Sequence, residues 1–253
     1  MRATLPSRLE ILVRIARDAG AVVMKHYQAG VETRFKDDRS PVTDADQEAE
    51  QLILAALAAE FPGVPVVAEE QAAAGRIAVA GSHFFLVDPV DGTKEFVKRG
   101  GEFTVNIGEI RDGAAVAGVV FAPAIGRLFV GSLEDGAFEV SGETVSAIAA
   151  RTPATDGLVA VSSKSHPDAQ TAAYLGRLPI KSHTNAGSSL KFCLLAAGEA
   201  DIYPRAGRTM EWDTAAGHAV LASAGGRVTD WDGKPFTYGK PGFQNGAFIA
   251  RGR

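Results

Sequence analysis

The sequence predicts an α+β half followed by an α/β half. Three observations predict it. Two long segments with apolar residues at helical spacing open the chain, a series of short apolar runs separated by turn signals follows, and past about Thr152 strand-like and helix-like runs alternate. The 253 residues allow one large domain or two small ones sharing a core. A hydrophobic share of 46% against 22% charged is enough to build that core in a soluble chain. The division falls at residues 1–151 and 152–253, two parts of one compact unit.

Each element has its own signal. Over 9–27, Leu9, Leu12, Val13, Ala16, Ala19 and Val23 recur at helical spacing. Ser40-Pro41 then breaks the chain. A second helix is expected over 43–60, with a polar first turn and an apolar face at Leu52, Ile53, Ala56 and Leu57. Phe61-Pro62-Gly63 ends it. Strand-like runs at 64–68 and 83–87 lead directly into Glu69-Glu70 and Asp88. The runs 103–110 and 114–121 flank Arg111-Asp112-Gly113, a hairpin signal, and 127–130 and 137–140 read as further antiparallel strands. In the second half, strands are expected at 158–162, 180–184, 200–203 and 227–229. Helices are expected at 168–178, 187–198 and 212–224.

Composition narrows the function classes. The net charge of −4 lacks the basic footprint that non-specific nucleic-acid binding needs. The single cysteine, Cys193, excludes an intrachain disulfide, and its apolar surroundings predict a buried, inert thiol. The first nine residues have no apolar signal region, and no apolar stretch approaches the roughly 18 residues of a membrane span, so a cytoplasmic location is expected. Weak attachment to a membrane surface and the oligomeric state are left open.

The sharpest chemical feature is Asp88-Pro89-Val90-Asp91-Gly92-Thr93, at the carboxyl end of the apolar strand Phe84-Phe85-Leu86-Val87. That is where α/β sheets place their sites. Two carboxylates separated by Pro and followed by Gly do not make a regular strand; Pro stiffens the turn and Gly admits close backbone approach. Asp88, Asp91 and the Val90 carbonyl offer a hard cation three oxygens from one turn. Taken alone, the stretch also reads as an ordinary Asp/Gly turn. Glu69-Glu70 after a strand and Asp213 at a helix start alter that balance. Acid clusters at element ends, with almost no His or Cys candidates, point to a hard-metal site. No GxxxxGK[ST] loop, GxSxG elbow or HExxH pair is present. His26, His83, His183 and His218 have no motif around them and read as structural; Lys98 and Arg99 read as solvated.

Asp88 to Thr93 (DPVDGT), the run Trp212-Asp213-Thr214-Ala215-Ala216-Gly217 and the Glu69-Glu70 pair together resemble the inositol monophosphatase superfamily, in order and spacing across nearly the whole chain. The resemblance implies a layered αβαβα sandwich of the metal-dependent sugar-phosphatase type and a Mg²⁺-dependent, lithium-inhibited phosphatase. Lys94-Glu95-Phe96, the run from Gly101 through Ile107, Ser165-His166, Gly187-Ser188-Ser189-Leu190-Lys191-Phe192 and Tyr203-Pro204-Arg205 are similar to the 3′(2′),5′-bisphosphate nucleotidase branch. That branch converts adenosine 3′,5′-bisphosphate to AMP and serves sulfate assimilation. The other readings are an inositol monophosphatase or another sugar-phosphate phosphatase of the superfamily, and a nucleotide-binding protein without turnover. Two departures stand out. Ala68 replaces the Ser or Gly that often precedes the Glu pair, and the middle of Arg205 to Glu211 differs from the family form.

The resemblance also implies roles. Glu69, Asp88, the Val90 carbonyl, Asp91 and Asp213 would hold two or three Mg²⁺ ions that activate water and stabilise the leaving oxygen. Thr93 and Asp46 would position the attacking water. Gly92 and Thr93 backbone N–H groups, with Glu69 and Asp213, would contact the phosphate group. His166, Ser188 and Lys191 are the candidates for nucleoside or second-phosphate contacts.

Overall fold

The computed structural model describes residues 4–30, 34–35, 41–163 and 168–253. Ser40, Ser165 and His166, named above, lie outside the described residues. Helix α1 (Ser7–Ala29) buries Leu9, Leu12, Val13, Ala16, Ala19 and Val23, the predicted face. The strand pair β1 (Arg34–Phe35) and β2 (Pro41–Val42) leads to helix α2 (Asp44–Glu60). The buried face of α2 is rotated from the expected one. Ala45, Asp46, Ala49, Glu50, Ile53 and Leu57 are buried, while Leu52 and Ala56 sit at its margin. Two acids on the inward face hid its direction from a reading based on hydrophobicity.

Next come β3 (Val66–Ala68), the short helix α3 (Glu69–Ala73), β4 (His83–Asp91) and the short helix α4 (Thr93–Val97). Strands β5 (Thr104–Arg111), β6 (Ala114–Ala122), β7 (Arg127–Ser132), β8 (Gly136–Ser141) and β9 (Thr144–Ile148) complete a seven-stranded sheet in the order β3-β4-β5-β6-β7-β8-β9. Only β3 and β4 run parallel; the rest is an antiparallel meander.

The remainder forms β10 (Leu158–Ser163), α5 (Ala169–Leu175), β11 (Ile180–Ala186), α6 (Leu190–Ala196), β12 (Ile202–Arg205), β13 (Thr209–Met210), α7 (Ala215–Ser223), β14 (Arg227–Asp230), β15 (Gln244–Asn245) and β16 (Phe248–Arg251). The second sheet has the order β11-β10-β12-β16-β14, parallel across β10, β11 and β12 and antiparallel at β16. β9, β13, β15 and β16 were not expected. The alternating polar residues of β9 and the shortness of the others leave little periodicity to read.

Side-chain alternation builds the layers. On β4, Phe85 and Val87 join a core with α1 and α2, while Phe84 and Leu86 join another with α6 and α7. The second core also takes Val161, Tyr203 and Phe248 from the other sheet, and α5 packs on that sheet's far face through Leu175 against Ala160 and Ile202. The result is five layers: α1/α2, sheet, α6/α7, sheet, α5. Burying Phe84, Phe192 or Phe248 contributes about 1.5–3 kcal/mol each. Glycines let the middle layer approach: a Cβ on Gly108 would stand 2.7 Å from the Ala215 Cβ, and one on Gly118 would stand 2.8 Å from the Ala216 carbonyl oxygen. No helix among the described residues is long and apolar enough to cross a membrane.

Candidate active site

The ends of β3, β4 and the segment before α7 converge on one cavity of about 360 Å³. Glu69, Asp88, Val90, Asp91, Gly92, Thr93, Ser188, Lys191 and Asp213, nine of the eleven residues marked out by the sequence, line it. Asp46 is not among the lining residues, and His166 lies outside the described residues.

The turn is built as its sequence demands. β4 continues through Asp91, but its pairing with β5 shifts register between Asp88 and Asp91. Asp88 Oδ1 accepts from the Val90 N–H at 3.0 Å, and the Thr93 hydroxyl donates to the Val90 carbonyl at 3.2 Å. Gly92 has φ of +89°, a left-handed conformation open to glycine, and a Cβ there would fall 2.2 Å from the Ser188 hydroxyl. α4 begins at once, with the Phe96 N–H bonded to the Gly92 carbonyl at 2.9 Å.

The second half clips onto this turn. Ser188 Oγ lies 2.7 Å from the Asp91 carbonyl oxygen and 2.8 Å from that of Glu102, and the Gly187 N–H donates to Glu102 Oε2 at 2.7 Å. Ser189 Oγ lies 2.7 Å from the Asp213 carbonyl oxygen and 3.2 Å from Asp91 Oδ2, so one hydroxyl touches both acid segments. Asn106, wholly buried on β5, donates to Ser189 Oγ at 3.0 Å. Asp213 Oδ2 accepts from the Met210 N–H at 2.7 Å. Lys191 is 3% exposed, with its ammonium on the carbonyls of Ser188 (2.6 Å) and Ala186 (3.3 Å).

The electrostatics are those of a crowded acid site. Burial holds the Asp91 carboxyl above the usual carboxylate range against the pull of Lys191 and Arg205. Burial, then the charges of Asp91 and Glu69, do the same to Asp213. Burial pushes Lys191 down to about 8. Carboxylates that resist ionisation together gain from an added cation, and every donor in the set is a hard oxygen, so the residues fit a divalent ion such as Mg²⁺. Among the described residues, no three Asp, Glu, His or Cys side chains converge closely enough to close on one ion as they stand.

Asp46 is 2% exposed, and its Oδ2 accepts from the Thr43 N–H at 2.8 Å and hydroxyl at 2.6 Å in a capping box at the start of α2. Burial raises its carboxyl to about 7. No direct hydrogen bond joins Asp46 to Thr93 among the described contacts. Ser189, Asn106, Glu102 and Glu50 went unassigned from sequence. The signal for Asn106 and Glu50 was a polar residue on an otherwise buried face. Ser189 and Glu102 had only their place in the runs 187–192 and 101–107 to mark them. Cys193 is buried, and burial pushes its thiol up, as expected of an inert group.

Comparison with known proteins agrees with this architecture. The model of the inositol monophosphatase family matches residues 5–250. The chain is 43% identical to the 3′(2′),5′-bisphosphate nucleotidase CysQ of Salmonella typhimurium over 234 residues, which cover 91% of this chain and 93% of that protein. The protein of the same name from Buchnera aphidicola is 38% identical over 251 residues, covering 96% and 92%. The crystal structure of CysQ from Bacteroides thetaiotaomicron superposes with a TM-score of 0.82 at 33% identity, over 97% of both chains. The Thermotoga maritima IMPase superposes with a TM-score of 0.80 at 26% identity, over 97% of this chain and 92% of the other. With a fold that superposes on these structures over nearly its whole length and a family match that runs almost from end to end, this chain belongs to the inositol monophosphatase family.

Proposed function

We propose that this chain is a Mg²⁺-dependent 3′(2′),5′-bisphosphate nucleotidase that hydrolyses the 3′-phosphate of adenosine 3′,5′-bisphosphate, leaving AMP and phosphate. The observation that carries the reading is the gathering of Glu69, Asp88, Asp91 and Asp213 in one cavity with Lys191 and Arg205 on its wall. An acid set beside cationic groups suits a substrate with one phosphate to cleave and a second anionic group to hold. The names and 38–43% identities of the relatives support the same substrate class.

In this reading Glu69, Asp88, the Val90 carbonyl, Asp91 and Asp213 hold two or three ions. When bound, Mg²⁺ lowers the pKa of water and offsets charge on the phosphoryl group. The chain's own residues position the reactants, which is most of what phosphoryl transfer asks of a protein. The Gly92 and Thr93 N–H groups orient phosphate oxygens. The Thr93 hydroxyl, held at the Val90 carbonyl, orients the attacking water, and the family resemblance assigns Asp46 as its proton acceptor. Water attacks phosphorus in line, the bond from phosphorus to the 3′ oxygen breaks, and that oxygen takes up a proton. His166, Ser188 and Lys191 select the nucleoside end. Residues 1–151 thus supply most of the ligands, and 152–253 supply Asp213 and the selecting loops. We assign the enzyme to the cytoplasm and to sulfate assimilation, and expect lithium to inhibit it, on the family resemblance.

Phosphate release from a substrate panel with Mg²⁺, with and without Li⁺, tests the reading. Adenosine 3′,5′-bisphosphate is expected to be the best substrate. Faster turnover of inositol 1-phosphate would reject the nucleotidase assignment, and no turnover of any phosphomonoester would reject the enzyme.

A further inference from the structure

Glu69 leaves the sheet at a junction with little support of its own. β3 has three residues and α3 has five, too few for a helix to hold itself together. The first N–H groups of any helix have no partner within it and need an oxygen from elsewhere. The residue that normally supplies one is at the N-cap, and here that residue is Ala68, which forms no side-chain cap bond. The missing bonds come from another helix. Glu50, on the buried face of α2 and 2% exposed, accepts from the Glu70 N–H through Oε2 at 2.7 Å. Its Oε1 accepts from the Gln71 N–H at 3.0 Å. Both carboxylate oxygens are committed to the turn that begins with Glu69. A buried carboxylate is costly unless its oxygens are satisfied, so its presence among Ala45, Ala49, Ile53 and Leu57 calls for a role that an apolar residue would not fill.

We propose that Glu50 is a positioning residue for the metal site: by capping α3 from outside, it sets the direction in which Glu69 faces the cavity, and so the affinity of the site for its divalent cation. The inference rests on the reading that Glu69 is a metal ligand. Ala68 makes this chain depend on Glu50, because a Ser at that position would cap α3 locally.

Calorimetric titration of the full chain with Mg²⁺ tests it, with Glu50→Ala, Glu50→Gln, Glu50→Ala/Ala68→Ser, Glu69→Gln and Glu109→Gln beside the parent. Glu50→Ala is expected to weaken Mg²⁺ binding by about 10–100-fold, the range for groups that orient a ligand. The Mg²⁺ concentration for half-maximal phosphate release shifts equally, while kcat at saturating Mg²⁺ stays within roughly 3-fold. Glu50→Gln keeps the shape and one acceptor oxygen, so it shows a smaller shift and serves if the Ala variant does not fold. Adding Ala68→Ser recovers part of the loss. Glu109→Gln, a buried carboxylate remote from the cavity, lowers the melting temperature without moving the titration, which separates lost stability from lost positioning. Unchanged Mg²⁺ affinity in both Glu50 variants, or a loss that Ala68→Ser leaves untouched, overturns the proposal. Unchanged affinity in Glu69→Gln overturns the ligand assignment beneath it instead.

Discussion

Asp91 shows how much one side chain is asked to do. It lines the cavity, its carbonyl receives Ser188, and its Oδ2 lies 3.2 Å from Ser189 Oγ. Asp91→Asn keeps the shape and removes the charge. Turnover should be lost while the urea unfolding midpoint stays near the parent's, and near-normal activity in saturating Mg²⁺ would show that Asp91 holds no ion. Thr93 and Asp46 pose a sharper question. If they act as one water-positioning relay, each of Thr93→Ala and Asp46→Asn should lower kcat by roughly 10²–10⁴ with little change in KM. The double variant should then be little worse than the worse single one. The capping box around Thr43 offers the rival outcome. Asp46→Asn would then cost about 1 kcal/mol of stability at most and leave kcat nearly unchanged. Measuring kcat for the four proteins decides between them, and multiplicative losses would remove the relay.

At the scale of elements, α7 places Asp213 and glycines place α7. The helix lies so close to β5 and β6 that Gly108 meets the Ala215 Cβ and Gly118 meets the Ala216 backbone. Phe192 of α6 closes on Gly217 in the same way, 2.7 Å from where a Cβ would stand. Gly108→Ala should therefore destabilise the protein by about 1–3 kcal/mol, the usual cost of overpacking. It should also weaken Mg²⁺-dependent activity, because Asp213 moves with the helix start. Urea unfolding and a Mg²⁺ titration check both parts. An unchanged midpoint would mean that the layers are free to move apart. Gly108 and Gly118 sit inside strands where sequence alone would count them as defects. Only the neighbouring helix explains them.

At the scale of the whole molecule, the first helix is tied to the sheet by basic side chains gathered on one buried carboxylate. Glu109, 1% exposed, accepts from Arg8 Nε at 3.0 Å, lies 2.8 Å from His83 Nε2, and accepts from Arg111 Nε at 3.0 Å. Burial works to raise its carboxyl, and the hydrogen bonds of Arg8 and His83 with the charges of Arg8 and Arg111 outweigh it, leaving the pKa lowered. The folded value thus lies below the unfolded one near 4.5, so the stabilisation is fully present above that pH and is lost as pH falls through the folded value. The parent should lose stability on acidification in that window, and Glu109→Gln, less stable at pH 7, should lose much less there. Chemical unfolding at a series of pH values measures it. Parallel curves for the two proteins would show that Glu109 is not the group responsible.

The long elements and the acids were legible in the amino-acid pattern. Helical spacing marked α1, apolar runs marked β4, β5 and β6, and Glu69, Asp88, Asp91 and Asp213 stood out because carboxylates at element ends need a reason. The resemblance added the layer order. Which residues hold those acids in place emerges only from the folded chain. Glu50 caps a helix it does not belong to, Ser189 bridges Asp91 and Asp213 across 24 residues of chain from the latter, and Asn106 reaches Ser189 from 83 residues away. Periodicity and motifs report what a residue does for its own segment. These side chains serve other segments, and their partners are adjacent only after the two sheets have closed on α6 and α7.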